Sequence, residues 1–90
     1  MTAQKYRIRG RVQAVGFRYF TDREAGSLGV KGWVRNLSNG DVEVHAEGSS
    51  DSVKAFRARL ESGPPLARVS EINIEPAEVQ GFEDFSMLYC

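Results

Sequence analysis

Ninety residues allow one hydrophobic core, so the expectation is a single domain spanning residues 1–90. Twelve Lys and Arg balance twelve Asp and Glu, and the formal net charge is +0 at pH 7; this lacks the basic excess on which nonspecific nucleic-acid binding draws. No apolar run approaches the ~20 residues of a membrane helix. The opening MTAQKYRIRG carries no apolar stretch of the signal-peptide kind, and the lone cysteine, Cys90, can form no internal disulfide. The chain is therefore expected to be a cytoplasmic monomer with no membrane and no nucleic-acid partner. His45 and Cys90 are the only His and Cys residues and lie far apart, so no metal or other cofactor is expected.

Residues 5–12 alternate, with Tyr6, Ile8, Gly10 and Val12 on one side and Lys5, Arg7, Arg9 and Arg11 on the other. That period predicts a strand with one face buried and a basic row on the solvated face. Over 17–28 the period lengthens: Phe17, Phe20, Ala25 and Leu28 fall at helical spacing, and Gly29 marks a stop. Alternation resumes at 30–36, setting Val30, Gly32 and Val34 against Lys31, Trp33 and Arg35. The Asn39-Gly40 pair predicts a hairpin, because both residue types tolerate the positive φ of tight turns. Val42, Val44 and Ala46 then point inward from the next strand, with Asp41, Glu43, His45 and Glu47 outward. Ser49, Ser50, Asp51 and Ser52 are N-cap candidates for a second amphipathic helix carrying Val53, Phe56 and Leu60 and ended by Gly63-Pro64-Pro65. Ile72 and Ile74 anchor a fourth strand, and Phe85, Met87 and Tyr89 a short last one. The order predicts an α/β two-layer sandwich of the ferredoxin-like βαββαβ kind, with a mainly antiparallel sheet plus a short C-terminal strand.

The chemistry concentrates in two places. Gly10-Arg11-Val12-Gln13-Ala14-Val15-Gly16-Phe17-Arg18 runs from a strand through a short loop into a helix. Backbone N–H groups in such a turn, together with the helix N-terminus, can converge on an anion, and the Arg18 guanidinium matches phosphate oxygens as a fork. It is not a Walker A loop, since no Gly-Lys-Ser/Thr follows. The residues alone leave open that the glycines only serve the turn and that Arg18 is solvated. Asn36, at the end of the 30–36 strand, could accept a hydrogen bond from water and donate one to a phosphoryl oxygen; alternatively it only starts the hairpin, as Asn often does.

Taken together, the two segments resemble the acylphosphatase family. Ile8 followed by Gly10-Arg11-Val12-Gln13-Ala14-Val15-Gly16-Phe17-Arg18 resembles its first motif. Gly32-Trp33-Val34-Arg35-Asn36 with Gly40, Val42 and Gly48 resembles its second. The resemblance covers nearly the whole chain and departs at Ala14, where the family usually has Gly, and at Leu37, which is polar in some relatives. It implies hydrolysis of a small-molecule acyl phosphate to carboxylate and inorganic phosphate. Arg18 is then the phosphate-binding catalytic arginine and Asn36 orients the attacking water. The backbone amides of Gln13, Ala14, Val15, Gly16, Phe17 and Arg18 cradle the phosphate. No cofactor is implied.

The remaining candidates are expected to be structural or incidental. His45, the only histidine, is expected on the solvated sheet face beside Glu43 and Glu47, and Trp33 is expected to pack on the sheet surface or under a loop. The C-terminal carboxylate at Cys90 could pair with Arg18. The alternatives to an enzyme are a non-catalytic anion- or RNA-binding module of the same fold, or part of a larger carbamoyl-transfer protein. An RNA-binding sheet needs aromatics on its central strands, where this chain offers Tyr6 or Arg7 and Glu43 or His45.

Overall fold

The computed structural model describes residues 1–89. Its elements follow the order β1 (Thr2–Arg11), α1 (Phe17–Leu28), β2 (Lys31–Asn36), β3 (Val42–Gly48), α2 (Ser50–Ser62), β4 (Arg68–Pro76) and β5 (Phe85–Leu88). The sheet order is β4-β1-β3-β2-β5. β1 pairs antiparallel with β3 and β4, and β2 antiparallel with β3. β5 runs parallel to β2. This is the expected two-layer sandwich, with the two helices packed on the sheet.

The apolar alternation of the strands builds the core. Tyr6, Ile8, Val34, Val42, Val44 and Ala46 meet Phe17, Ala25, Val53, Phe56 and Leu60 of the helices, all buried. Burial of a Val, Leu or Phe side chain contributes about 1.5–3 kcal/mol each, so this shared face holds the layers together. The Tyr6 hydroxyl donates to Gln4 Oε1 at 2.8 Å, and burial pushes its pKa up to about 12, so it stays neutral over the ordinary pH range. Ser49 is the N-cap of α2, its hydroxyl accepting from the Ser52 N–H at 3.1 Å. Gly29 and Gly63 close the two helices.

Three details differ from the alternation reading. First, the register of β1 against β4 shifts between Arg9 and Gly10, and this bulge leaves Gly10 exposed while Val12 returns to the core. Second, Asn39 takes no positive φ: of the pair, only Gly40 does, at 97°. Asn39 acts through its side chain instead, its Oδ1 accepting from the Asp41 N–H at 3.0 Å and its Nδ2 donating to Asp41 Oδ2 at 3.2 Å. These bonds help account for the burial of Asp41, which alternation places outward.

Third, His45 and Glu47 are not solvated. They point to the face opposite the helices, as the period of two requires, yet both are fully or nearly fully buried, at 2% and 0% exposure. The irregular segment between β4 and β5 covers them. Glu47 accepts from the backbone N–H groups of Gln80 at 2.6 Å, Gly81 at 3.1 Å and Phe82 at 3.4 Å. His45 Nε2 lies 2.8 Å from Glu47 Oε2, with the Trp33 ring stacked on one side and Phe82 edge-on. Burial alone would raise the Glu47 pKa. The Gln80 N–H, the His45 ring and the other two amides together outweigh it and hold the carboxyl below its ordinary value. Trp33 thus packs structurally, as expected.

Candidate active site

The loop after β1 turns into α1 by two residues in left-handed backbone. Gly16, the helix N-cap, has φ 77° and ψ 19°. Ala14 has φ 59°, the one positive value at a non-glycine among the described residues. Among the described residues no side chain caps this helix. The first helical hydrogen bond runs from the Phe20 N–H to the Gly16 carbonyl at 2.9 Å, so the N–H groups of Phe17, Arg18 and Tyr19 precede it. These are the orphan donors of the helix start, at the positive end of its dipole. A cavity of about 250 Å³ opens here, lined by Val12, Ala14, Gly16, Phe17, Arg18, Tyr19, Asn36, Met87 and Tyr89.

Arg18 and Asn36 therefore share one cavity although they come from different elements. The Arg18 guanidinium is held from β5: its Nη1 donates to the Leu88 carbonyl at 2.9 Å, and it lies over the Tyr89 ring, 4.6 Å from the centroid. The expected pairing with the carboxylate of Cys90 lies outside the described residues. Asn36 ends β2 opposite Val42. Its Oδ1 is buried and, among the described residues, accepts no hydrogen bond. An acceptor in that position costs free energy unless something donates to it.

Of the residues expected in the cradle, Ala14, Gly16, Phe17 and Arg18 line the cavity, while Gln13 and Val15 are not among its lining residues. Val15 packs against the core. Gln13 turns its side chain to the β2–β3 hairpin, where Nε2 donates to the carbonyls of Leu37 at 2.8 Å and Asp41 at 2.9 Å. Sequence reading missed this link, and nothing in the residue pattern distinguishes a Gln amide bonded across to another loop from one facing a ligand. It also missed the part β5 plays in setting Arg18. The first glycine of the second motif has a plain cause: Gly32 has φ 134°, and a Cβ there would overlap the His45 carbonyl oxygen across the β2–β3 pair.

The fold and this cavity define a two-layer α/β protein whose strand-to-helix turn brings backbone donors and an arginine to one cavity. Comparison with known proteins is consistent with that class. The profile of the acylphosphatase family matches residues 4–87. An acylphosphatase of Thermotoga petrophila is 47% identical over 99% of this chain and 99% of its own. The crystal structure of an acylphosphatase from Bacillus subtilis superposes with a TM-score of 0.96 at 36% identity, covering 99% of this chain and 100% of that one. Full-length HypF in a phosphate- and nucleotide-bound form matches with a TM-score of 0.92 at 31% identity, over 98% of this chain and 12% of its own. The chain belongs to the acylphosphatase family.

Proposed function

We propose that this chain acts as a single catalytic domain that hydrolyses small acyl phosphates without a metal ion. Water attacks phosphorus in line, the bond between phosphorus and the acyl oxygen breaks, and the carboxylate leaves with the bonding electron pair. A carboxylate is a good leaving group and requires no general acid, so positioning and charge stabilisation supply most of the acceleration. Arg18 and the loop amides hold the phosphoryl oxygens. Asn36 orients the water through its amide oxygen. Asn is too weak a base to take the proton, which passes to a phosphoryl oxygen of the substrate; inorganic phosphate is the other product.

The observation that carries this reading is that Asn36 lines the same cavity as Arg18 and the start of α1, with an amide oxygen that accepts no hydrogen bond among the described residues. A turn of the Asn36 amide toward the cavity would let Oδ1 accept from a water beside the phosphoryl group and so satisfy that acceptor. The permanent charge of Arg18 supports a metal-free reaction, since it supplies the electrostatic stabilisation a metal would otherwise bring. The balanced net charge and the burial of Tyr6 argue for a protein that does not bind nucleic acid, because no central-strand aromatic of β1 is open for base stacking. A monomeric state is part of the proposal. A cytoplasmic location completes the proposal.

The test is hydrolysis of benzoyl phosphate in excess chelator by the intact protein and by Arg18→Ala. The expected result is activity that survives the chelator and falls by at least about 3 kcal/mol in transition-state stabilisation, more than a hundredfold in kcat/KM, when Arg18 is removed. A folded protein with no activity, or a fully active Arg18→Ala variant, would overturn the reading.

A further inference from the structure

We infer that Gln13 is a positioning residue, whose side chain sets the placement of Asn36 against the phosphate loop and through it the rate of water attack. The inference rests on the water-orienting role proposed for Asn36. Gln13 belongs to the loop, but its Nε2 donates to the carbonyls of Leu37 and Asp41, at 2.8 and 2.9 Å. Those two carbonyls form the neck of the β2–β3 hairpin, where the Leu37 N–H donates to the Asp41 carbonyl at 2.8 Å and the Gly40 N–H to the Leu37 carbonyl at 3.2 Å. Leu37 follows Asn36 in the chain, and Asp41 precedes Val42, the cross-strand partner of Asn36. One primary amide thus bonds the loop to both sides of the residue pair that carries Asn36. A primary amide has two protons, and both are spent here, so this Nε2 has none left for a substrate.

The same geometry shows what removal would do. Each of the two carbonyls keeps its bond from within the hairpin, so the turn survives without Gln13. What is lost is the tie between hairpin and loop. Arg18 is held from the other side, by the Leu88 carbonyl and the Tyr89 ring, so its hold on phosphate stays while the angle of attack loosens. Misplacement on the order of 1 Å costs up to about a hundredfold in rate.

The experiment measures benzoyl phosphate hydrolysis and competitive inhibition by inorganic phosphate in four proteins: intact, Gln13→Met, Asn36→Ala and the double variant. Gln13→Met keeps the length of the side chain and removes both donors; Gln13→Glu, which sets a carboxylate against two carbonyls, is the second variant. Circular dichroism below the melting temperature verifies folding of each. The expected result is a fall of about tenfold or more in kcat for Gln13→Met, a larger one for Gln13→Glu, and an unchanged inhibition constant for phosphate. In the Asn36→Ala background Gln13→Met should have almost no further effect. If Asn36→Ala slows turnover but the two effects multiply, or if phosphate inhibition weakens in step with kcat, the coupling is wrong and the role of Asn36 stands. If Asn36→Ala leaves kcat intact, that role fails and the Gln13 inference falls with it.

Discussion

Ala14→Gly tests the cost of the backbone in the loop between β1 and α1. Ala14 has φ 59°, a left-handed conformation that costs an L-residue roughly 1–2 kcal/mol. Glycine removes that cost but adds chain entropy to the unfolded state, worth about 0.4–1 kcal/mol in the opposite direction. The Ala14 side chain is exposed at the cavity edge and belongs to no part of the core, so its methyl contributes little packing to offset the sum. The net expectation is a gain of roughly 0.5–1 kcal/mol. For a domain of this size that raises Tm by about 3–6 °C. Thermal unfolding and a urea titration of the two proteins, compared at equal m, measure it. Phosphate inhibition of the variant should change as the loop relaxes, with activity retained. A loss of stability in Ala14→Gly would refute the strain argument and show that the surrounding loop holds Ala14 there at no cost.

Glu47→Gln should destabilise the protein by about 2–3 kcal/mol in urea unfolding, because a buried carboxylate loses its charge-assisted bonds to the Gln80, Gly81 and Phe82 amides and to His45. The pH dependence follows from the same group. Its carboxyl is held below the value of 4.5 it has when unfolded, so the stability it contributes is complete above about pH 4.5 and is lost as pH falls through the lower folded value. Unfolding titrations between pH 7 and pH 3 should show that slope in the intact protein and a flatter one in Glu47→Gln. Gly32→Ala forces a Cβ onto the His45 carbonyl at a positive φ and should cost at least about 2 kcal/mol, read by the same unfolding assay.

The elements were legible because each carries its own period and its own stop. The switch from alternation to helical spacing at Phe17, the glycine at 29 and the serine at 49 are local signals, and Gly16 and Ser49 cap the helices that the pattern predicts. Arg18 and Asn36 were singled out through the family resemblance, and the structure brings both to one cavity. Periodicity alone gives the face of a strand but not what covers it. His45 and Glu47 sit on the face that alternation assigns them, and their burial comes from residues 80–82, an irregular segment far away in sequence. The same holds for Gln13 and for the Leu88 carbonyl that holds Arg18. Each is a contact between segments more than twenty residues apart, and no local pattern encodes it.

The order β4-β1-β3-β2-β5 leaves two edges to the sheet, and each is guarded in its own way. β5 has 4 residues, too few to template a long intermolecular ladder. β4 is longer, at 9 residues, but Arg68, Glu71 and Glu75 stand exposed along it and Pro76 ends it without an N–H to donate. An approaching strand would have to bring its own backbone against these charges. The sheet that carries the loop and Asn36 is thereby closed to edge-to-edge aggregation by charge on one side and by shortness on the other.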